Sequence, residues 1–420
     1  MSEARLLPLE PLRLRGSFPS LARLQGGQPV IYADAPGGTQ VPRSVTAAMT
    51  TYLETSNANF GGMFATSRET GELVAQVRAG VMNLLNAAAP EEIVFGQNMT
   101  SLTFAMSRAL ARTWQPGDEI IVTALDHDAN VAPWMLAAED RGVTVRTLPF
   151  DPRDLTLPLA GLTALLGPRT RLVALGHASN AVGTIPDLAP LIAAARCVGA
   201  LVYVDAVHYA PHGVIDVRAL GCDFLACSAY KFCGPHLGIL YGRKSLLESL
   251  TAYKVRPSSP IPPGKWETGT QNTEAIAGLR ACLTYLGELG AHASSDSLSR
   301  KALTAGMQRI IAHEALLSQR FIAGIAAIPG ARLYGIADPA RIDGRTPTFG
   351  FTLAGCTPRQ VSERLAERGI FVWDGHFYAK GVIDQLGLAE QGGLIRIGFA
   401  HYNTIEEAEL VLAAVAQLAD

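Results

Sequence analysis

Between about residue 90 and residue 245 the chain alternates short, almost wholly apolar runs with longer Ala- and Leu-rich stretches of helical pattern. The runs are Glu92-Ile93-Val94-Phe95, Glu119-Ile120-Ile121-Val122, Arg171-Leu172-Val173-Ala174-Leu175, Leu201-Val202-Tyr203-Val204, Phe224-Leu225-Ala226-Cys227 and Gly238-Ile239-Leu240-Tyr241. A strand that is apolar at successive positions needs cover on both faces, and strands alternating with helices obtain it by pairing in parallel between two helical layers. The pattern predicts an α/β fold built on a mainly parallel sheet. Ligands of such open sheets gather beyond the carboxyl ends of the strands. Polar segments stand at those places here: Gly96-Gln97-Asn98-Met99-Thr100, Asp126-His127-Asp128-Ala129-Asn130, Gly176-His177-Ala178-Ser179-Asn180 and Asp205-Ala206-Val207-His208.

The last 120 residues follow a different pattern. Thr357-Pro358 opens a helix with a cap and a proline at its first position, and Gly369 closes it before a strand over Ile370-Phe371-Val372-Trp373. A second strand, Leu394 to Phe399, precedes a helix that begins with a capping box, Thr404 and Glu407. Strand, helix, strand, helix predicts a smaller α+β domain, which suits a chain of 420 residues because single cores seldom exceed about 250–300 residues. Four prolines within residues 256–264 predict an extended loop.

Charged residues make up 17% of the chain and the formal net charge is −2, so no global field draws in nucleic acid or an anionic membrane; a small-molecule partner is expected. The six cysteines have neither C-x-x-C nor metal-ligand spacing, which points to buried thiols, no metal site and a reducing compartment. Met1-Ser2-Glu3-Ala4-Arg5 lacks the form of an export signal, and no run approaches the ~20 apolar residues of a membrane span. A cytoplasmic location is expected.

Lys231, in Ser228-Ala229-Tyr230-Lys231-Phe232, lies 26 positions after Asp205. A lysine that forms a Schiff base with pyridoxal phosphate, and an aspartate that keeps the pyridine nitrogen protonated, are the two protein groups that this cofactor's chemistry needs most. Its phosphate needs backbone amides at a helix start together with hydroxyl donors. Met99, Thr100 and their neighbours follow a strand and lead into a helical pattern, and Ser228 and Tyr230 flank the lysine. His127 is placed to stack on the ring, Asn180 to donate to the cofactor's phenolic oxygen, and His208 to meet that oxygen or the imine.

Together these segments resemble the class V aminotransferase and cysteine desulfurase family of fold type I pyridoxal-phosphate enzymes. The resemblance runs from Tyr32-Ala33-Asp34-Ala35-Pro36-Gly37 to Arg396-Ile397-Gly398-Phe399, and its most specific parts are Val204-Asp205-Ala206-Val207-His208, Ser228 to Pro235 and Asp126 to Trp134. It implies a seven-stranded-type sheet in a large domain over residues 30–295 and a small domain from 1–29 and 296–420. It implies Lys231 as the Schiff base, Asp205 as pyridinium partner, His127 as stacking and catalytic ring, and Asn180 and His208 near the phenolic oxygen. Met99, Thr100, Ser228 and Tyr230 would surround the phosphate. Trp266 to Asn272 looks like the segment that reaches a neighbouring protomer, with Thr270 as donor, which implies a homodimer. Arg396 matches the arginine that grips a substrate carboxylate, a task suited to a planar guanidinium.

The chain also departs from the pattern. Desulfurases carry a nucleophilic cysteine, often in a Gly-His-His-Cys-Ala context, where this chain has Gly375-His376-Phe377-Tyr378-Ala379. A phenol with a reference pKa of about 10 does not accept sulfur as a thiolate does. Cys233, two residues past the lysine, looks like sheet-end packing rather than a substitute. Tyr230 stands where desulfurases have histidine, and Gln97-Asn98-Met99-Thr100 lacks their paired threonines. The expectation is a small-amino-acid enzyme without a persulfide, with C–S β-elimination favoured and His376 and Tyr378 beside the substrate. The alternatives are transamination, epimerisation of the isopenicillin N epimerase type with Tyr378 or His376 as second acid, desulfuration through an unconventional acceptor, or a catalytically silent cofactor-binding scaffold.

Overall fold

Each of the six apolar runs forms a strand in the computed structural model, which describes residues 9–290 and 294–419; the segment Met1–Arg5 lies outside them. The strands are β1 (Ile93–Gly96), β2 (Glu119–Thr123), β3 (Thr144–Leu148), β4 (Thr170–Gly176), β5 (Leu201–Asp205), β6 (Phe224–Ser228) and β7 (Gly238–Gly242), in the spatial order β1-β7-β6-β5-β4-β2-β3. From β6 to β3 every pairing is parallel, whereas β7 runs antiparallel to both β1 and β6. The strand absent from the sequence reading, β3, lies at the sheet edge. Most of its side chains are exposed, so Thr144-Val145-Arg146-Thr147-Leu148 lacks the continuous apolar character of the others.

Burial on both faces is plain within β5, where Val202 and Val204 enter one apolar cluster and Tyr203 enters another. One face is covered by α1 (Ala65–Leu85), the opposite face by α2 (Met99–Ala111) and α3 (Ala132–Glu139), and α4 (Thr273–Leu289) returns to the first. Charged groups on the buried strands therefore have room only at the ends.

The C-terminal region forms a four-stranded antiparallel sheet of β8 (Ala331–Tyr334), β9 (Thr348–Leu353), β10 (Trp373–Gly375) and β11 (Leu394–Gly398), in the order β8-β9-β11-β10. Helices α5 (Arg300–Ile325), α6 (Pro358–Glu367) and α7 (Ile405–Ala416) pack on it around Phe321, Phe349 and Phe399. Both expected caps are formed: Thr357 with Gln360 and Thr404 with Glu407. The strand expected over 370–373 is two pieces. Ile370–Phe371 pairs in parallel with Ile31–Tyr32, and Trp373 onward joins β11, because the chain changes sheets at Val372.

Residues 256–264 hold no helix or strand. The segment that follows is anchored by Glu267, which receives Arg78 in two bonds of 2.7 and 3.0 Å and the Phe95 amide at 2.9 Å. Both side chains of this ion pair are more than nine-tenths buried. Removing one partner of such a pair leaves an uncompensated buried charge. Glu267→Ala is expected to lower unfolding stability by about 3–5 kcal/mol in urea titrations. Arg320→Ala, which breaks the exposed pair with Glu409, is expected to cost no more than about 1 kcal/mol, and equal losses would contradict the burial argument.

Candidate active site

Parallel register places Gly176 of β4 beside Asp205 of β5, and Asp205 beside Ala226 of β6. One 3₁₀ turn beyond β6, at Ala229–Lys231, brings Lys231 to the same edge. A cavity of about 640 Å³ opens there. Lys231, Asp205, His208, Asn180 and His127 line it, and Met99, Thr100, Ser228 and Tyr230 form its end at the start of α2.

The Lys231 Nζ donates to the carbonyls of Pro36 and Gly37. Burial, with help from the Arg396 charge, brings its pKa down to about 7, while Asp205 pulls it upward. Asp205 is pushed up to about 6 by burial, opposed by the Val207 amide at 2.8 Å and by Lys231. His127 accepts the Ala129 amide on Nδ1 at 3.0 Å, which leaves the ring proton on Nε2. Burial and then the charges of Lys231 and Arg396 bring this imidazole down to about 4, so its ring is neutral at pH 7.

Several partners were not legible in the sequence. Asp126 ties the His127 turn to β4: its carboxylate accepts from Thr123 at 2.8 Å, Asn130 at 2.7 Å and the Gly176 amide at 2.8 Å. His208 turns Nε2 toward the hydroxyls of Thr346 (3.2 Å) and Thr348 (3.0 Å) of the small domain. The Asn180 amide donates to the Phe377 carbonyl at 2.8 Å, and its Oδ1 is buried without a partner. Met99 and Ser228 are spent in part on each other, the Met99 amide donating to the Ser228 hydroxyl at 2.9 Å.

Four expected residues do not line this cavity. Arg396 lies behind Asn180, donating to its carbonyl at 3.0 Å and crossing the Phe377 ring at 4.2 Å. Its buried Nε has no partner, and no described carboxylate lies within ion-pair distance. Arg345 shows the contrast: equally buried, it donates to the carbonyls of Ile336, Val182, Thr346 and Thr348 and is a satisfied strut. Tyr378 stacks on His127 with ring centroids 5.4 Å apart, and the exposed His376 meets Tyr378 edge-on. Thr270 is exposed and lines an adjoining cavity of about 650 Å³ that meets the first at Ser101 and His236.

An amine poised near neutrality, a buried carboxylate facing it, a neutral imidazole at one side and a helix start at the far end form a donor set that fits pyridoxal phosphate. The orphaned Asn180 Oδ1 and Arg396 Nε are buried polar atoms that a bound ligand can satisfy. The profile of the family described as aminotransferase class-V matches residues 31–411. The chain belongs to the class-V aminotransferase family. Among its relatives is a cysteine desulfurase of Dickeya dadantii (strain 3937), 33% identical over 418 residues, spanning 96% of this chain and 95% of the relative. Another, from Pectobacterium atrosepticum, is 32% identical and covers 98% of each chain. Solved structures agree: a cysteine desulfurase from Thermococcus onnurineus superposes with a TM-score of 0.85 at 27% identity, over 100% of this chain and 99% of that one. One from Escherichia coli gives 0.82 at 28%, over 97% and 98%.

This class-V enzyme is therefore pyridoxal-phosphate dependent, and its loading has a definite pH signature. A lysine amine attacks an aldehyde only in its neutral form, and Lys231 is the one lysine among the described residues lining this cavity. Below about pH 7 the amine is protonated, and above it the neutral form predominates, some three units earlier than for an ordinary lysine. Covalent capture of pyridoxal phosphate by cofactor-free protein, followed by absorbance, is expected to speed up as pH rises through about 7 and to level off by about 8. A rate still climbing from pH 9 to 10 would contradict the lowered value.

Proposed function

We propose that this enzyme breaks the Cβ–S bond of a small α-amino acid by β-elimination, without passing sulfur to a protein thiol. The observation that carries the reading is the placement of Tyr378 against His127 while none of the six cysteines lines the Lys231 cavity. Cys222, Cys227, Cys233 and Cys282 are buried. Burial pushes the first three up to about 12 and the fourth higher, so none offers a thiolate at neutral pH. Cys197 lies at the exposed end of the helix Leu188–Cys197, and Cys356 faces a separate cavity with Pro358 and Gly393.

Bound pyridoxal phosphate supplies the electron sink for the bond broken at the substrate α-carbon. Arg396, a buried guanidinium whose Nε has no partner, binds the substrate carboxylate and orients the α-carbon toward Lys231. Asp205 holds a proton on the pyridine nitrogen, and Lys231 Nζ takes the α-proton. The Cα–H and Cβ–S bonds break, a Cα=Cβ bond forms, and the electron pair leaves with sulfur as hydrosulfide. No oxidant or reductant is required. The unsaturated amine then hydrolyses in water to keto acid and ammonium. Tyr378, 66% exposed, stacks on His127.

Holoenzyme incubated with L-cysteine is expected to release sulfide and pyruvate in equal amounts, with alanine at trace level. Sulfide accompanied by equal alanine would overturn the reading in favour of desulfuration.

We further propose a homodimer in which Thr270 serves the neighbouring protomer. Thr270 is absent from its own Lys231 cavity, and Phe60, Met63, Phe64, Val255 and Ile261 are exposed large apolar side chains. Sedimentation equilibrium is expected to give twice the 44.5 kDa chain mass; a monomer at micromolar concentration would exclude this assembly.

A further inference from the structure

β7 is the strand of the large sheet that runs against both neighbours, so it enters at the edge where the parallel strands leave. Gly238, its first residue, pairs with Ser228 on one side and Gly96 on the other. A Cβ at Gly238 would come within 2.5 Å of the Asn98 carbonyl carbon, so only glycine lets this strand lie so close to the start of α2. The residues just before Gly238 are thereby held at the same edge. His236 is one of them. Its ring lies face to face with Tyr230, centroids 4.9 Å apart at 12°, and borders the same cavity as Asn98, Thr100, Ser101 and Lys231.

This end of the cavity has to hold a phosphate, which carries a charge of about −1.5 to −2 at pH 7. The first turn of α2 offers fewer amides than it contains. The Met99 amide donates to Ser228, and the Ser101 amide donates to Asn98 Oδ1 at 2.9 Å, leaving that of Thr100. Among the described residues lining the cavity, Lys231 is the only lysine or arginine, and it is committed to the cofactor aldehyde. Arg108 borders the adjoining cavity and not this one. The hydroxyls of Thr100, Ser101, Ser228 and Tyr230 are neutral donors. An imidazole offers N–H donors and can carry a positive charge, and stacking on Tyr230 fixes this ring at the cavity wall.

We propose that His236 is a phosphate-binding residue that supplies the positive charge this end of the cavity otherwise lacks. The inference rests on the cofactor and not on which substrate bond is broken. Its test is therefore a binding measurement on cofactor-stripped, full-length protein, using pyridoxal phosphate and its phosphate-free counterpart pyridoxal as probes. His236→Gln removes the charge, His236→Phe removes it but keeps the ring on Tyr230, and His236→Arg restores it.

Both charge-removing variants are expected to bind pyridoxal phosphate about 10-fold or more weakly, the scale of one charge-assisted hydrogen bond. Their affinity for pyridoxal is expected to stay within about twofold, and His236→Arg to recover most of the loss. The ³¹P resonance of the bound cofactor should move in His236→Phe relative to the unmutated protein. Unchanged affinity for pyridoxal phosphate in either charge-removing variant would overturn the proposal. So would an equal loss for both probes, which marks a structural role.

Discussion

Burial of the large sheet on both faces is the constraint from which the rest follows. With Val202 and Val204 in one apolar layer and Tyr203 in the other, β5 can carry a charge only where it ends, and Asp205 stands there. Parallel register then brings the ends of β4, β5 and β6 level, so residues distant in sequence meet at one edge. The same burial sets the chemistry. It lowers the Lys231 amine toward neutrality, raises Asp205, and keeps His127 uncharged. One low-dielectric edge thus brings together an amine near neutrality, a carboxyl of raised pKa and an uncharged imidazole.

The small domain completes the site by hydrogen bonding into it. Thr346 and Thr348 hold His208, Arg396 donates to the Asn180 carbonyl, and the Phe377 carbonyl takes the Asn180 amide. Phe377 and Tyr378 both have left-handed backbone, φ +53° and +57°, a conformation that costs non-glycine residues free energy of order 1 kcal/mol each. The turn is held by the bond from Asn180 to Phe377 and by the Asp128 amide donating to the Tyr378 carbonyl at 2.7 Å. This conformation aims the Tyr378 ring at His127. Tyr378 thus stands on a shaped turn, with its ring stacked on His127.

Six of the seven sheet strands were legible because burial on both faces demands unbroken apolar runs. The edge strand β3 faces solvent and carries no such run. The strands β8 and β9 were missed too, and the stretch 370–373 looked like one strand because apolarity does not reveal which sheet a residue joins. Lys231, Asp205, His127, Asn180, His208 and the start of α2 were legible as candidates because each follows or ends a strand, and the structure brings them to one cavity. Asp126 was visible only as part of a motif. Thr346, Thr348 and His236 had no signal, since a lone threonine or histidine reads the same whether it faces solvent or, as Thr346 does, a residue 138 positions away in sequence.

The amino-acid sequence by itself determined six strands of the large sheet and the candidate polar residues that follow them, Asp205 and Lys231 among them, because burial on both faces forces apolar runs and leaves polar side chains to the strand ends. Tertiary structure alone decided which groups are charged, which are already spent and which stand unpaired. Arg345 and Arg396 are both buried arginines, yet four backbone carbonyls satisfy one, whereas the other donates to the Asn180 carbonyl and keeps a buried Nε without a partner. That difference is one of surroundings, set by packing between segments far apart in the chain, and no local pattern records it.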